Sequence, residues 1–189
     1  MKRVTICFLL IFLSSPVGCT EVTRNSILNP DGTVEYVFYS DGEEIAKQKE
    51  DDYGNIIQTT GKIPDGTVKG YDESGKLEHE CNYKDNKLEG LVRVYYESGK
   101  IMMEWNYKDN KLNGITRWYY ENGGLMRQFN YKDGKREGIS KKYYENGGIW
   151  STYTYRNGKL VNRKDYDERG NLMSDQDFPI REKRILGVR

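Results

Sequence analysis

The sequence is poor in the residue types on which most protein chemistry depends. Its 189 residues include one histidine, three cysteines and four prolines. So few imidazoles and thiols leave little material for a nucleophile or a metal site, and we predict a protein that is not an enzyme and has no cofactor. The formal charge of +1 gives no strong attraction for nucleic acid. The mean hydropathy of −0.87 excludes several membrane-spanning helices, because each needs about 20 apolar residues.

Tyrosine and glycine are abundant instead. The chain has 16 tyrosines and 20 glycines, and 13% of its residues are aromatic. Disordered chains are usually poor in aromatic residues, so this content favours a folded protein. Proline is absent between Asp65 and Phe178, and no strand in that stretch would lack a backbone donor.

The N-terminus has the pattern of an export signal. Lys2 and Arg3 precede an apolar stretch at 4–13, and small residues follow up to Gly18. This order is typical of a secretory signal peptide, which we place at residues 1–18. A stretch of ten residues is too short for a membrane-spanning helix, and a buried N-terminal helix is the alternative.

The next residue, Cys19, is a candidate site for a lipid anchor. Val17-Gly18-Cys19 resembles the lipobox of bacterial lipoproteins, which implies that Cys19 becomes the lipidated first residue of the mature chain. The residue after it, Thr20, is similar to the signal for sorting to the outer membrane. The alternative is ordinary signal-peptidase cleavage nearby. With Cys7 in the signal peptide, only Cys81 would remain, so no intramolecular disulfide is expected in the lipidated product.

A period of 24 residues dominates the middle of the chain. Such a period is typical of an array of small structural units. The recurring positions are Gly66, Gly90, Gly114 and Gly138; Tyr71, Tyr95, Tyr119 and Tyr143; Gly75, Gly99, Gly123 and Gly147; Leu77, Ile101, Leu125 and Ile149; Cys81, Trp105, Phe129 and Tyr153; Tyr83, Tyr107, Tyr131 and Tyr155; and Lys87, Lys111, Lys135 and Lys159.

Each unit is predicted to form a β-hairpin. Residues 91–96 and 101–107 are rich in strand formers and are separated by turn residues. The later turns at 122–123, 133–134, 146–147 and 157–158 are Asn-Gly or Asp-Gly, which tolerate positive φ at both central positions. We therefore predict an all-β fold, an elongated single-layer antiparallel β meander. Its parts would be an acidic N-terminal segment with a degenerate repeat (19–65), four repeats (66–161), and a degenerate capping repeat with a basic tail (162–189).

One face of this meander is predicted to be apolar. In the second strand, Ile101, Met103, Trp105 and Tyr107 share one parity. Exposed aromatic rows are candidate binding surfaces, although cross-strand packing of the tyrosines would by itself stabilise the sheet. The candidate partner-binding residues are Trp105, Tyr107, Phe129, Tyr131, Tyr153 and Tyr155.

Two further patterns concern charge and chemistry. The formal charge is −6 for residues 19–65 and rises through the four repeats from −2 to +1, +2 and +3. Such a gradient would suit orientation of a charged partner. His79 is expected to be a solvated residue on the polar face, and Cys81 a small core residue. The turn aspartates, such as Asp109, are flanked by lysines and make poor calcium ligands.

The repeat resembles a known family. Tyr-Tyr-Glu-Asn-Gly-Gly-Leu (119–125), followed by Asn-Tyr-Lys-Asp-Gly-Lys-Arg-Glu-Gly (130–138), is similar to the variant MORN repeat of bacterial YwqK-family antitoxins. This resemblance implies a hairpin array for protein or membrane association, without catalytic residues. Trp118-Tyr119-Tyr120 with Gly123 and Met126 also resembles the choline-binding repeats of cell-wall proteins, although those repeats are shorter.

These observations together predict a function. We expect a non-enzymatic binding or scaffold module of the bacterial envelope, an outer-membrane lipoprotein with an unknown protein partner. It would contact the membrane through lipid at Cys19 and would bind neither nucleic acid nor a small-molecule substrate. The alternatives are an antitoxin or immunity protein that neutralises a toxin by direct binding, and a choline-type cell-wall binder.

Overall fold

The computed structural model describes residues 21–51 and 56–179, which fall in two units, Met1–Ile63 and Pro64–Arg189. Every helix or strand assigned within these residues is a β-strand, so the all-β prediction is confirmed. In this part of the chain no helix has the length and apolar character needed to cross a bilayer. The predicted signal peptide, Cys19 and residues 180–189 of the predicted basic tail lie outside the described residues.

The first unit is a four-stranded antiparallel meander. Strand β1 pairs with β2, β2 with β3, and β3 with β4. Phe38, Ala46 and Ile63 are buried in it, and the turn at Asp41-Gly42 has positive φ at both residues. Its strands are β1 (Val22–Leu28), β2 (Val34–Ser40), β3 (Glu43–Glu50) and β4 (Ile56–Gly61).

The second unit contains the repeats, and its strand pairings are antiparallel. Long strands pair in sequence order, so the predicted antiparallel meander of tandem repeats is confirmed. Its strands are β5 (Gly66–Tyr71), β6 (Leu77–Lys84), β7 (Lys87–Leu88), β8 (Gly90–Tyr95), β9 (Ile101–Lys108), β10 (Lys111–Leu112), β11 (Gly114–Tyr119), β12 (Leu125–Lys132), β13 (Lys135–Arg136), β14 (Gly138–Tyr143), β15 (Ile149–Arg156), β16 (Lys159–Tyr166) and β17 (Leu172–Asp177).

A short strand precedes the first long strand of repeats two to four, which the sequence analysis did not predict. Strand β7 forms a hairpin with β6. The strand is then interrupted at Glu89, and β8 begins at Gly90. Gly90 has a φ of +83°, a conformation that disfavours other residues, and the Glu89 amide bonds to the carbonyl of Asn82 at 2.9 Å. The repeated glycine is therefore needed for backbone geometry.

The same β-bulge interrupts all four hairpins. In the second repeat Val94 pairs with Met103, but Tyr95 pairs with Ile101, so Met102 is an extra residue. Because alternation of the side chains breaks at the extra residue, Ile101 does not share a face with Met103 and Trp105. The predicted four-residue apolar stripe is wrong at its first member.

The turn prediction holds at one end of the hairpins and fails at the other. Asp133 and Gly134 have φ values of +49° and +79°, as Asp-Gly was expected to adopt, and the turn at 157–158 has the same form. At 122–123 only Gly123 has positive φ. There the Asn122 side chain instead accepts a hydrogen bond from the Gly124 amide at 2.8 Å, so this residue stabilises a longer loop.

One face of the repeats is closed to solvent at its centre. Val68, Val92, Thr116 and Ser140 occupy the same position in successive repeats, and each is buried. Each pairs directly with a residue of the neighbouring strand, and in the last three repeats that residue is aromatic. The pairs are Val68 with Cys81, Val92 with Trp105, Thr116 with Phe129, and Ser140 with Tyr153. We call the face that carries these pairs the inner face, and the opposite face the outer face.

Candidate functional site

An aromatic cluster joins the second and third repeats on the inner face. Trp118 lies edge-on to Trp105, with ring centroids 6.4 Å apart, and edge-on to Phe129 at 5.4 Å. Such edge-to-face contacts are favourable beyond the area that they bury. Phe129 is only 6% exposed, whereas Trp105 is half-buried. Trp118 was not among the predicted site residues, and its repeat equivalents Gly70 and Val94 are not aromatic.

Arg136 connects three of the predicted site residues. Its guanidinium lies 4.4 Å from the ring centroid of Phe129 and 5.2 Å from that of Tyr155. It also donates hydrogen bonds to the hydroxyls of Tyr131 at 3.3 Å and Tyr155 at 3.0 Å. Burial lowers the pKa of Arg136, but these hydrogen bonds outweigh it, so its pKa is raised and the charge is retained. Leucine occupies this position in the other repeats. The replacement of leucine by arginine was the feature of the sequence that could have identified Arg136 as a site residue.

Tyr153 lies between two cations. Its ring stacks on Tyr155 with centroids 6.4 Å apart, while Lys142 Nζ and the Arg163 guanidinium lie 5.6 Å and 5.7 Å from its own centroid. The structure thus brings Phe129, Tyr131, Tyr153 and Tyr155 together around cationic side chains. The remaining candidate, Tyr107, lies half-buried opposite Gly90.

A like-charged pair lies beside this group. Arg127 on β12 directly faces Lys142 on β14, and Arg127 is exposed. Neither side chain forms an ion pair with a carboxylate of the described residues. Like charges directly opposite each other destabilise a sheet, so this pair is unfavourable for the fold.

On the outer face, Arg93 and Arg117 form ion pairs with carboxylates. Arg93 contacts Glu80 at 3.8 Å and Glu104 at 3.4 Å, and Arg117 contacts Glu104 at 3.9 Å. Tyr95 donates a 2.7 Å hydrogen bond to Glu80. Burial and this carboxylate raise the pKa of Tyr95 to about 12. On the outer face of the first repeats, cations are therefore paired with acids.

Other recurrent polar residues hold successive repeats together. The second tyrosine of each Tyr-Tyr pair donates to a carbonyl of the next repeat, as Tyr96 does to Tyr119 at 2.6 Å and Tyr120 to Tyr143 at 2.8 Å. Asn106 reaches the carbonyl of Ile115 at 2.7 Å, and equivalent asparagines do the same. These side chains couple successive repeats through hydrogen bonds to backbone carbonyls, a different contact from the ring packing that the cross-strand alternative expected.

The prediction for His79 is wrong. Its side chain is only 12% exposed, and it lies on the inner face opposite Gly70. A Cβ atom on Gly70 would lie 2.0 Å from Cε1 of the imidazole, so the ring fills the space that a larger residue would occupy. His79 and the buried Cys81 are two residues apart in the same strand, so their side chains lie on the same face. The assignment of His79 to the polar face did not take this into account. Cys81 is 1% exposed, which confirms it as a small core residue.

Comparison with known proteins supports the repeat assignment. The family model described as MORN repeat variant matches four tandem segments, 64–85, 88–109, 112–133 and 136–157. No curated protein matches the chain. Among solved structures, a glycine-to-arginine mutant of S. aureus TarM in complex with fondaparinux, alpha-GlcNAc-glycerol and UDP is 15% identical with a TM-score of 0.30, over 73% of this chain and 21% of that one.

Two further solved structures have similar values. A second structure of TarM is also 15% identical with a TM-score of 0.30, and covers 73% of this chain and 20% of that one. A structure of accessory secretory proteins 1, 2 and 3 of Streptococcus pneumoniae is 11% identical with a TM-score of 0.26, over 63% and 18%. The chain thus spans about a fifth of the length of these solved chains.

Proposed function

Because residues 64–157 carry four tandem MORN-variant repeats, we propose that the protein is a non-enzymatic binding or scaffold module. Its repeats would hold a protein partner on the inner face. The recurrent tyrosines and asparagines support a scaffold role, because their hydrogen bonds join each repeat to the next. Such coupling makes an array a stiff surface, which lowers the entropic cost of binding.

The observation that carries this proposal is the aromatic and cationic group of the last two repeats. Tyr153 and Tyr155 stack on each other and remain half-buried, with Arg136 and Arg163 against their rings. Tyrosine, tryptophan and arginine are the residues that most often dominate binding energy at protein interfaces. Partly covered rings in fixed positions offer apolar area with little further loss of side-chain freedom.

The six predicted residues would play two roles. Phe129 lies beneath the surface at 6% exposure and would support its neighbours. The other five would contact the partner with the accessible parts of their rings. These are Trp105, Tyr107, Tyr131, Tyr153 and Tyr155, each of which is half-buried.

The test is crosslinking in the native envelope. Tyr153→Ala should lose the crosslinked product of the wild-type protein, whereas Ile139→Ala should retain it. Ile139 is a suitable control because it is exposed and pairs with Thr154, the neighbour of Tyr153 that points to the other face. Equal capture by both variants would contradict the proposal. A captured toxin whose activity the protein suppresses would place the module among antitoxins.

We further propose that the module is anchored in the cell envelope by lipid at Cys19 and reaches the outer membrane. The support is the sequence Val17-Gly18-Cys19 after a short apolar stretch, followed by Thr20. Labelled palmitate should enter the wild-type protein and not the Cys19→Ala variant. Equal labelling of both proteins would contradict the anchor.

A further inference from the structure

The junction between successive repeats has one pair of facing residues whose chemistry changes along the array. At the first junction His79 faces Val94, and at the second Met103 faces Trp118. At the third junction Arg127 faces Lys142. The backbone pairing is the same in each case, and neither of the first two junctions places two lysine or arginine side chains opposite each other.

The third junction is unfavourable for folding on its own. Side chains that face each other directly across antiparallel strands lie close together, and two cations there repel. Neither Arg127 nor Lys142 has a carboxylate partner among the described residues. The nearby carboxylate of Asp165 is already engaged, since it accepts from Ser151 at 2.6 Å, from Arg163 at 2.9 Å and from Ser174 at 3.1 Å.

The surroundings of this junction are suited to an anion that arrives with apolar groups. Trp118 faces Arg127 on the other side of its strand. Lys142 lies against the ring of Tyr153, and Arg163 lies against the same ring. A bound carboxylate would therefore meet two cations that have no carboxylate partner among the described residues, and the residues beside it in the ligand would meet aromatic rings.

We propose that the junction of Arg127 and Lys142 is the docking site for an acidic, extended segment of the partner protein. This inference rests on the proposed function and names the chemistry of the partner. Charge complementarity requires an anionic ligand. A protein segment fits better than nucleic acid or another polyphosphate, because the formal charge of the chain is only +1 and the cations Lys142 and Arg163 lie against an aromatic ring.

The experiment measures binding of labelled peptides to the full-length protein by fluorescence anisotropy. The probes are a short peptide of alternating glutamate and alanine, and its counterpart with glutamine in place of glutamate. Inorganic polyphosphate serves as the competing class of anion. The glutamate peptide should bind, its affinity should fall with added salt, and the glutamine peptide should bind at least about tenfold more weakly.

Two charge-reversal variants separate binding from folding. Arg127→Glu should weaken the glutamate peptide about tenfold and yet raise Tm, because a carboxylate would then face Lys142. Lys141→Glu is the matched control, because it makes the same change of charge at the residue next to Lys142. Lys141 faces Gln128 and lies on the outer face. It should leave peptide binding unchanged.

Several results would overturn the inference. These are equal binding of the two peptides, equal loss of binding in Lys141→Glu and Arg127→Glu, or polyphosphate binding that is tighter than peptide binding and depends on Arg127. The proposed function fails separately. If Arg127→Glu still gives the crosslinked product in the envelope, the module binds its partner but the acidic docking site is wrong.

Discussion

The first two repeats and the last two have the same backbone and different inner faces. Their hairpins share register, turn positions and bulge. On the inner face, valine at positions 68 and 92 gives way to Thr116 and Ser140. Leucine at positions 88 and 112 gives way to Arg136 in the third repeat and returns as Leu160 in the fourth. The pair of facing cations, Arg127 with Lys142, occurs at the third junction and not at the first two.

This difference separates what the repeat needs from what it can vary. Glycines with positive φ and the hydrogen bonds between repeats are kept throughout, because they determine backbone geometry. On the inner face the residue types vary, and in the later repeats a small residue lies opposite a large one, so that the space is still filled. We infer that the first repeat chiefly supplies stability and that the binding surface lies mainly on the last two repeats, with Trp105 and Tyr107 extending it into the second.

The largest expected effect concerns equivalent rings of the third and fourth repeats. Phe129→Ala should lower the free energy of unfolding by about 3–5 kcal/mol, because it removes a buried ring that contacts Trp118 and Arg136. Tyr153→Ala should cost clearly less, since Tyr153 is half-buried. Urea unfolding followed by circular dichroism measures both. A loss for Tyr153→Ala as large as that for Phe129→Ala would mean that both rings are core.

The next effect concerns a pair of residues within the first hairpin, Gly70 and His79, which is replaced by the equivalent pair of the second hairpin. Gly70→Val should destabilise the fold by about 1–3 kcal/mol, because a Cβ there would meet the His79 ring. Combining it with His79→Met, which copies the Val94 and Met103 pair, should restore most of the loss. The same urea measurements form a double-mutant cycle. Additive losses would show that Gly70 and His79 are not packed as a pair.

A smaller effect should have the opposite sign. The buried Ser140 hydroxyl has no hydrogen-bond partner among the described residues, whereas valine fills its position in the first two repeats. Ser140→Val should therefore stabilise the protein by about 1–2 kcal/mol. The reverse change, Val92→Ser, should destabilise it. If Ser140→Val lowers Tm, the inner face of the fourth repeat does not have the space that the first half predicts.

The smallest expected effect is a loss of stability at alkaline pH. The pKa of Tyr95 is raised to about 12 by burial and by Glu80, so its contribution is complete below the ordinary phenol pKa of 10.0 and is lost as pH rises through about 12. Tyr95→Phe should make stability less dependent on pH across this window, as followed by thermal unfolding. The equivalent residue of the last repeat, Tyr143, serves as a comparison, because burial alone raises its pKa. An unchanged pH dependence in Tyr95→Phe would contradict this assignment.

The sequence was sufficient for the period, the strand type and the turns at 133–134 and 157–158, because each depends on local residue chemistry. It did not reveal the bulge at Met102, since an extra residue in a strand has no distinctive side chain. The position of His79 on the inner face could have been predicted from the sequence, because His79 has the same parity in its strand as Cys81. The burial of Phe129 was not, because side-chain alternation indicates a face but not how far that face is covered.

The most direct test of this account measures arginine reactivity toward phenylglyoxal in the native envelope and in the isolated protein. Arg127 on the inner face of the third repeat should be protected in the envelope, because the partner would cover it. Arg93 and Arg117, which lie on the outer face near Glu104, should react equally in both samples. Equal reactivity of Arg127 in both samples, or protection of Arg93 and Arg117 instead, would contradict the assignment of binding to the later repeats.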